Sequence, residues 1–218
     1  EFNSRQWADK KAALGMEQGA KAGAIQNVVS FVADLQGFKG CRKMCDLAGN
    51  IGHYSAGICG ANPTLHAHVY DLPEVAAMAP GLRKEEHAGR IRFHDCDIMG
   101  EADFGNGYDL FFISHFLYGF GAAHSLAPFL RKVNQAMVKG GIFVSHHISD
   151  KMDNEMVLTM KIVELMTRAM GYPTHTLPLG TLKEALAKAG FADFIVREPD
   201  LKLPFPATLL AAKKTKDL

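Results

Sequence analysis

The feature that most limits how this chain can fold is a regular alternation of short apolar runs with stretches of helical periodicity after residue 40. Near-continuous apolar runs such as the one at 108–117 are typical of strands that are buried on both faces. Seven runs are predicted as strands, at 42–48, 65–73, 90–97, 108–117, 141–148, 192–198 and 207–215. Helices are predicted between them, and this order implies an α/β domain with a mostly parallel seven-stranded sheet and helices on both faces.

Several helix boundaries follow from local signals. Residues 5–36 have helical periodicity that ends at Gly37 and Gly40. Glycines also predict the end of a helix at 125–138, because Gly140 and Gly141 follow it. A long helix is expected over 152–170. The spacing T-L-K-E predicts a capping box that opens another helix at Thr181.

Composition excludes several classes of function. The chain has 24 basic and 23 acidic residues, without the basic stripe of a nucleic-acid-binding protein. No apolar run approaches the roughly 20 residues that span a bilayer, so we expect no membrane partner. The four cysteines form no C-x-x-C pair, and we interpret them as reduced thiols of a cytoplasmic protein.

Acidic residues follow three neighbouring strands of the predicted sheet, namely Asp46, Asp71 and Asp97. Ligands of open parallel sheets bind at the carboxyl ends of the strands. A carboxylate at the end of the second strand can accept hydrogen bonds from both ribose hydroxyls. Each acid alone could instead cap the following helix or turn. Three acids together, with a glycine-containing turn after the first, favour a nucleoside ligand.

The turn itself reads CDLAGNIGHYS at 45–55 and does not match the G-x-G-x-x-G loop of NAD-binding proteins. An acid followed by a loose glycine turn resembles the D-x-G-x-G-x-G loop of S-adenosylmethionine (SAM) methyltransferases. Four further segments, VYDLPEV, YDLFFISHFLYGF, MVKGGIFVSHH and AGF, are similar to motifs of the plant-type (caffeic-acid-type or acetylserotonin-type) O-methyltransferases. The resemblance implies a Rossmann-like class I SAM-methyltransferase fold with SAM as cofactor.

The same resemblance assigns roles to individual residues. Asp46 would hold the amino-acid end of SAM, Asp71 the ribose and Asp97 the adenine side. The other expected cofactor contacts are Gly49, Gly52, Leu72, Ile98 and Ser114. The expected contacts to the acceptor substrate are Met16, Met160 and Met166.

Two parts of the chain depart from the family pattern. In the loop, Ala48 and Asn50 stand where the family has glycine, although Asn tolerates a left-handed backbone. At the catalytic position, Tyr118 replaces the histidine base of the phenol-methylating enzymes. A tyrosine with an ordinary pKa near 10 is a poor base at neutral pH. The candidates for the catalytic role are His147, Tyr118 and His115.

The histidines and Cys96 lack any recognised spacing of metal ligands, so no metal site is predicted. The first functional hypothesis is a SAM-dependent methyltransferase that acts on the oxygen of a small aromatic or apolar acceptor. The alternative is a repurposed relative that binds SAM or another small ligand without methyl transfer. We expect residues 1–36 to be connecting helices and 37–218 the SAM-binding domain. A homodimer is expected if the full protein has the family's N-terminal dimerisation domain.

Overall fold

A single seven-stranded sheet organises the chain in the computed structural model. The structure describes residues 8–82, 88–98, 103–120, 123–148, 157–158, 161–162, 164–165, 169, 176–203 and 206–218. The strands are β1 (Lys43–Leu47), β2 (His66–Asp71), β3 (Ile91–Asp95), β4 (Tyr108–Ser114), β5 (Met137–His147), β6 (Phe191–Arg197) and β7 (Thr208–Lys214). They lie in the order β3-β2-β1-β4-β5-β7-β6.

Six helices with defined bounds accompany the sheet among the described residues. They are α1 (Lys10–Lys21), α2 (Ala24–Ala33), α3 (His53–Ala61), α4 (Pro73–Leu82), α5 (Ala123–Ala136) and α6 (Leu179–Lys188). Within the predicted helix at 152–170, the described positions are helical. No helix in the described part of the chain is both long and apolar enough to cross a membrane.

The strand order creates a switch point between β1 and β4. From β1 the chain moves outward through β2 to β3, and it then returns to the other side of β1 at β4. The pairs from β3 through β5 are all parallel, whereas β7 is antiparallel to both β5 and β6. The mostly parallel seven-stranded sheet is therefore confirmed. A ligand site is expected in the crevice outside the carboxyl ends of the two central strands.

Alternate residues of the central strands fill two separate cores. Phe112 of β4 and Val144 of β5 lie in one core with Val28 of α2. Phe111 of the same strand packs into the other core, which includes Leu130 of α5. Helices thus cover both faces, as predicted from the alternation. Because α2 shares a core with the sheet, it holds a fixed position over β4 and β5.

The helical stretch at the N-terminus is divided at Gly23, whose φ of 124° is outside the helical region. Three predicted boundaries were wrong. Helix α6 begins at Leu179 after Pro178, so no side chain caps it and Thr181 lies inside its first turn. Strand β4 ends at Ser114, three residues earlier than predicted, because His115 has a φ of 52°.

The third error concerns Gly140 and Gly141, which do not end a helix. Helix α5 ends at Ala136 and β5 begins directly at Met137. The register between β4 and β5 shifts here, so that the two glycines lie in an irregular part of β5. A Cβ on Gly141 would lie 2.9 Å from the carbonyl oxygen of Val138 and 3.2 Å from that of Tyr108. The glycines permit this close strand contact.

Candidate cofactor and acceptor site

The loop between β1 and α3 has a left-handed backbone at every second residue. The φ angles of Ala48, Asn50 and Gly52 are 54°, 51° and 73°. The amide of Ala48 donates to the carbonyl of Tyr70 at 2.8 Å, which extends the pairing of β1 with β2. The loop therefore keeps its tight shape although Ala48 and Asn50 occupy positions that favour glycine.

At Gly49 the loop backbone comes closest to Asp46 of β1 and Val69 of β2. A Cβ built on Gly49 would lie 2.7 Å from the carboxylate of Asp46 and 2.7 Å from Cγ1 of Val69. The absence of a side chain thus lets the loop pass directly over the end of β1. At Gly52, the added Cβ would lie 3.3 Å from the Phe93 ring.

Asp71, the last residue of β2, accepts backbone hydrogen bonds with both carboxylate oxygens, and one of them comes from the loop. Its Oδ2 accepts the amide of Asn50 and its Oδ1 the amide of Leu72, each at 2.8 Å. Burial raises the pKa of Asp71 to about 6, although these two hydrogen bonds lower it. Each carboxylate oxygen can accept a further hydrogen bond. Asp71 can therefore hold the loop and bind a hydroxyl at the same time.

Asp46 lies beneath the loop and is almost fully buried, at 1% exposure. Its Oδ2 accepts a 2.6 Å hydrogen bond from Ser55 in the first turn of α3. Its Oδ1 has no hydrogen-bond partner among the described residues. Burial raises the pKa of Asp46 to about 7, with a smaller contribution from Asp71. A buried carboxylate oxygen without a partner is costly, so this atom is a ready acceptor for a cationic ligand group.

Helix α1 lies over the same loop. The side-chain amide of Asn50 is 3.9 Å from Sδ of Met16, and Ile51 packs with Ala13. Two further amides of the loop are satisfied locally, because Ile51 donates to Oδ1 of Asn50 at 2.7 Å and Gly52 to the carbonyl of Gly49 at 2.8 Å. Met16 is 37% exposed and thus borders the loop from outside.

The adenine-side candidates lie at the neighbouring strand end. The amide of Cys96 donates to the carbonyl of Asp71 at 2.8 Å, which fixes the segment after β3 against the end of β2. Asp97 is exposed, and Ile98 is buried in the core beside β1 and β4. The structure therefore brings all three predicted acids to one edge of the sheet.

The ends of β4 and β5 carry a hydrogen-bonded group of aromatic and imidazole side chains. Ser114 Oγ lies 2.9 Å from Nδ1 of His146. Burial raises the pKa of Tyr54 in α3 to about 12, whereas the nearby Ser114 lowers it. The rings of His115 and His146 meet edge to face, with centroids 4.6 Å apart. Burial lowers the pKa of both imidazoles, that of His115 to about 4. Both rings are therefore neutral at physiological pH.

Tyr118, the residue at the family's catalytic position, is only 5% exposed. Its hydroxyl lies 3.0 Å from Nδ1 of His115 and accepts a hydrogen bond from the amide of Ile148. His147 is fully buried, and its Nδ1 lies 3.2 Å from Oγ of Ser145. Neighbouring strand residues point to opposite faces, so His147 and His146 point away from each other.

Sequence reasoning missed Tyr54 and Ser55, which connect α3 to the site. A signal for them exists in the sequence, since both follow His53 as polar-tipped residues in the first turn of a helix whose later residues are apolar or small. Of the acceptor-side candidates, Met160 and Met166 lie outside the described residues. The described part of the chain contains no group of three His, Cys, Asp or Glu side chains that could hold a metal ion.

Comparisons with known proteins agree with this architecture. A family model described as the O-methyltransferase domain matches residues 4–192. An uncharacterized protein of Methanocaldococcus jannaschii is 30% identical over 135 residues, which are 62% of this chain and 35% of that protein. This chain thus spans about a third of the curated relative that it matches.

Two solved structures share the fold. The human N-acetylserotonin methyltransferase in complex with SAM has a TM-score of 0.74 at 18% identity, over 98% of this chain and 57% of that one. An O-methyltransferase family protein from Burkholderia thailandensis has a TM-score of 0.70 at 20% identity, over 100% of this chain and 64% of that one. Because the family model covers residues 4–192, the chain belongs to the O-methyltransferase domain family.

Proposed function

We propose that this chain binds SAM and transfers its methyl group to the oxygen of a small acceptor. The observation that carries the proposal is the placement of Asp46 and Asp71 on either side of the 48–52 loop, at the switch point of the sheet. Family membership and the SAM complex of the similar human enzyme support the same ligand. When bound, SAM supplies a methyl group that is activated by a positively charged sulfur.

The residues present fit this ligand. The unpartnered Oδ1 of Asp46 suits the ammonium of the amino-acid end. Asp71 keeps acceptor capacity for the ribose hydroxyls, with Leu72 next to it. Asp97 and Ile98 would lie on the adenine side, and Ser114 at the end of β4 would face the methionine part. Because Gly49 and Gly52 have no side chain, they would leave the loop backbone accessible to the ligand.

Of the candidate contacts to the acceptor, Met16 alone lies among the described residues. Met16 lies next to the loop, and we propose that it contacts the acceptor together with Met160 and Met166. Polarisable methionine side chains suit a flat apolar or aromatic molecule. His147, Tyr118 and His115 remain the candidates for removal of the acceptor's proton. Positioning of the two reactants can by itself supply many kcal/mol of the catalytic effect.

A second candidate function is binding of SAM or another small ligand without methyl transfer. The observation in its favour is that Tyr118 and His147 are both buried, Tyr118 at 5% and His147 at 0% exposure. Neither side chain is therefore presented to a substrate in the way that a general base requires. If the ligand of the second candidate is SAM, the two functions predict the same SAM affinity and differ only in turnover.

The proposal also includes the domain organisation, the oligomeric state and the cellular location of the protein. Residues 1–36 would connect this domain to a further N-terminal domain, and 37–218 would be the SAM-binding domain. A homodimer would then form through the additional domain. We place the protein in the cytoplasm, which agrees with four cysteines that form no disulfide.

The experiment that tests the proposal is calorimetric titration of this chain with SAM and with S-adenosylhomocysteine (SAH). Micromolar affinity for both is expected, because the loop and both carboxylates are in place. Turnover is then measured with tritiated SAM and a panel of small phenols. Binding with transfer supports the methyltransferase, whereas binding without transfer to any phenol supports the second candidate. No binding by the folded chain would refute SAM as the ligand.

A further inference from the structure

One histidine at the end of β4 has a backbone conformation that residues with a side chain seldom adopt. His115 has a φ of 52°, in the left-handed region. Its amide donates to the carbonyl of His146 at 2.8 Å, which holds the turned backbone against β5. Because of this turn, Ser114 and His115 both contact His146, although adjacent strand residues normally point to opposite faces. Backbone outliers of this kind cluster at functional sites.

His115 is more exposed than Tyr118 and His147, the other candidates for proton removal, and more exposed than the neighbouring His146. Tyr118, His146 and His147 are 5%, 1% and 0% exposed. His115 alone among these four residues keeps part of its surface accessible. A group that takes a proton from a substrate must be within hydrogen-bond reach of it. Accessibility therefore favours His115 over the residue that stands at the family's catalytic position.

We propose that His115 accepts the acceptor's proton at Nε2 and that Tyr118 is a positioning residue that fixes the imidazole ring. The inference rests on the proposed function. In the reaction, the acceptor oxygen forms a bond to the methyl carbon, and the carbon–sulfur bond breaks with its electron pair left on sulfur. The proton of the acceptor hydroxyl passes to Nε2 of His115, so atoms and charges balance.

The contacts around the ring fit these two roles. Nδ1 of His115 lies 3.0 Å from the hydroxyl of Tyr118, which leaves Nε2 as the nitrogen that can face an acceptor. The same hydroxyl accepts the amide of Ile148 and is thereby fixed to the chain just after β5. Burial keeps His115 unprotonated at neutral pH, with its pKa lowered to about 4. The hydrogen bond made by one ring nitrogen sets which tautomer is present.

The tautomer of His115 tests the inference without any acceptor. Nitrogen NMR of the histidine-labelled full chain, saturated with SAH at pH 7.5, distinguishes a proton on Nδ1 from one on Nε2. His115→Asn assigns the signal, because Asn tolerates a left-handed backbone. We expect the proton on Nδ1, donated to Tyr118, and a shift toward the Nε2-protonated form in Tyr118→Phe. A proton on Nε2 in the unmodified chain would overturn the proposal.

Turnover supplies the second test, with tritiated SAM and the phenol that reacts fastest. His115→Asn is expected to lower the rate at least tenfold while SAH affinity changes less than twofold. His66→Asn, at an exposed position of β2, is the matched control and should leave both unchanged. An unchanged rate in His115→Asn would refute this inference and leave the proposed function intact. If the unmodified chain does not bind SAH, the proposed function itself fails.

Discussion

The site has a cofactor half at the ends of β1 and β2 and a second half at the ends of β4 and β5. The polar side chains of the two halves form their hydrogen bonds with different kinds of partner. At the ends of β1 and β2, carboxylates accept hydrogen bonds from Ser55 and from the backbone amides of Asn50 and Leu72. At the ends of β4 and β5, imidazole and hydroxyl side chains bond mainly to one another. The first half is built from one continuous strand-loop-helix segment and the neighbouring strand end. The second requires residues from β4, β5 and α3 together.

This difference explains which half resembles the family. In the cofactor half, the acids at the strand ends stay recognisable, although Ala48 and Asn50 replace two glycines of the loop. A network of side chains from separate elements can be rebuilt in several ways, because each hydroxyl or imidazole can exchange partners. The cofactor half is therefore expected to respond strongly to single substitutions, and the following experiments test that expectation.

The largest effect is expected for Asp71→Asn. The substitution removes the charge that binds two backbone amides and would bind the ribose. Charge-assisted hydrogen bonds contribute about 1.5–3 kcal/mol, so SAH affinity should fall about 10- to 100-fold. Asp95→Asn is the matched control, since Asp95 is the exposed register partner of Asp71 on β3. Equal affinity losses in both variants would show that Asp71 has no special role.

The next effect is expected for Gly49→Ala, measured by thermal or denaturant unfolding. The new Cβ would lie 2.7 Å from both Asp46 and Val69, so the loop must move. Overpacking of this kind costs about 1–3 kcal/mol in the free energy of unfolding. Gly81→Ala in α4 is the control, because no atom lies within 4 Å of its added Cβ. Equal stability of the two variants would mean that the close contact is not important.

A pH dependence of cofactor affinity is expected from Asp46. Its pKa in the free protein is raised to about 7 by burial, and an ammonium partner favours the ionised form. Binding should then release a proton, and affinity should rise about tenfold between pH 6 and 8 and level off above pH 8. Calorimetry in buffers of different ionisation enthalpy measures both effects.

Asp46→Asn should remove this pH dependence. Any dependence that remains belongs to Asp71, whose pKa is raised to about 6. A flat affinity between pH 6 and 8 in the unmodified chain would contradict a contact between Asp46 and the ammonium.

The smallest effect is expected for Ala48→Gly. A left-handed backbone costs a residue with a Cβ about 1–2 kcal/mol, and glycine avoids this cost. Glycine also gives the unfolded chain more conformational freedom, which lowers the free energy of unfolding by about 0.4–1 kcal/mol. The variant should therefore gain up to about 1 kcal/mol in unfolding free energy. Ala187→Gly at an exposed position of α6 should instead lose about 1 kcal/mol. If both variants lose stability equally, the loop at Ala48 is not strained.

Much of the fold could be predicted from the sequence because its signals are local. Seven apolar runs gave the strands, and each lies within a few residues of its predicted place. Errors arose where tertiary contacts override local preference. Gly140 and Gly141 look like a helix end, yet pairing with β4 places them inside β5. The capping signal at Thr181 failed for a local reason instead, because α6 begins at Leu179 directly after Pro178.

The sequence by itself determined the parallel sheet, the position of the loop and the acids that surround it, since strand ends and turns depend on neighbouring residues. Only the tertiary structure decided which oxygens of Asp46 and Asp71 accept hydrogen bonds. It also decided which of the candidate histidines, His115 or His147, keeps part of its surface accessible. These properties depend on burial and on the direction of side chains from separate elements. The turn at His115 is the clearest case, because its amide is held by β5, 31 residues further along the chain.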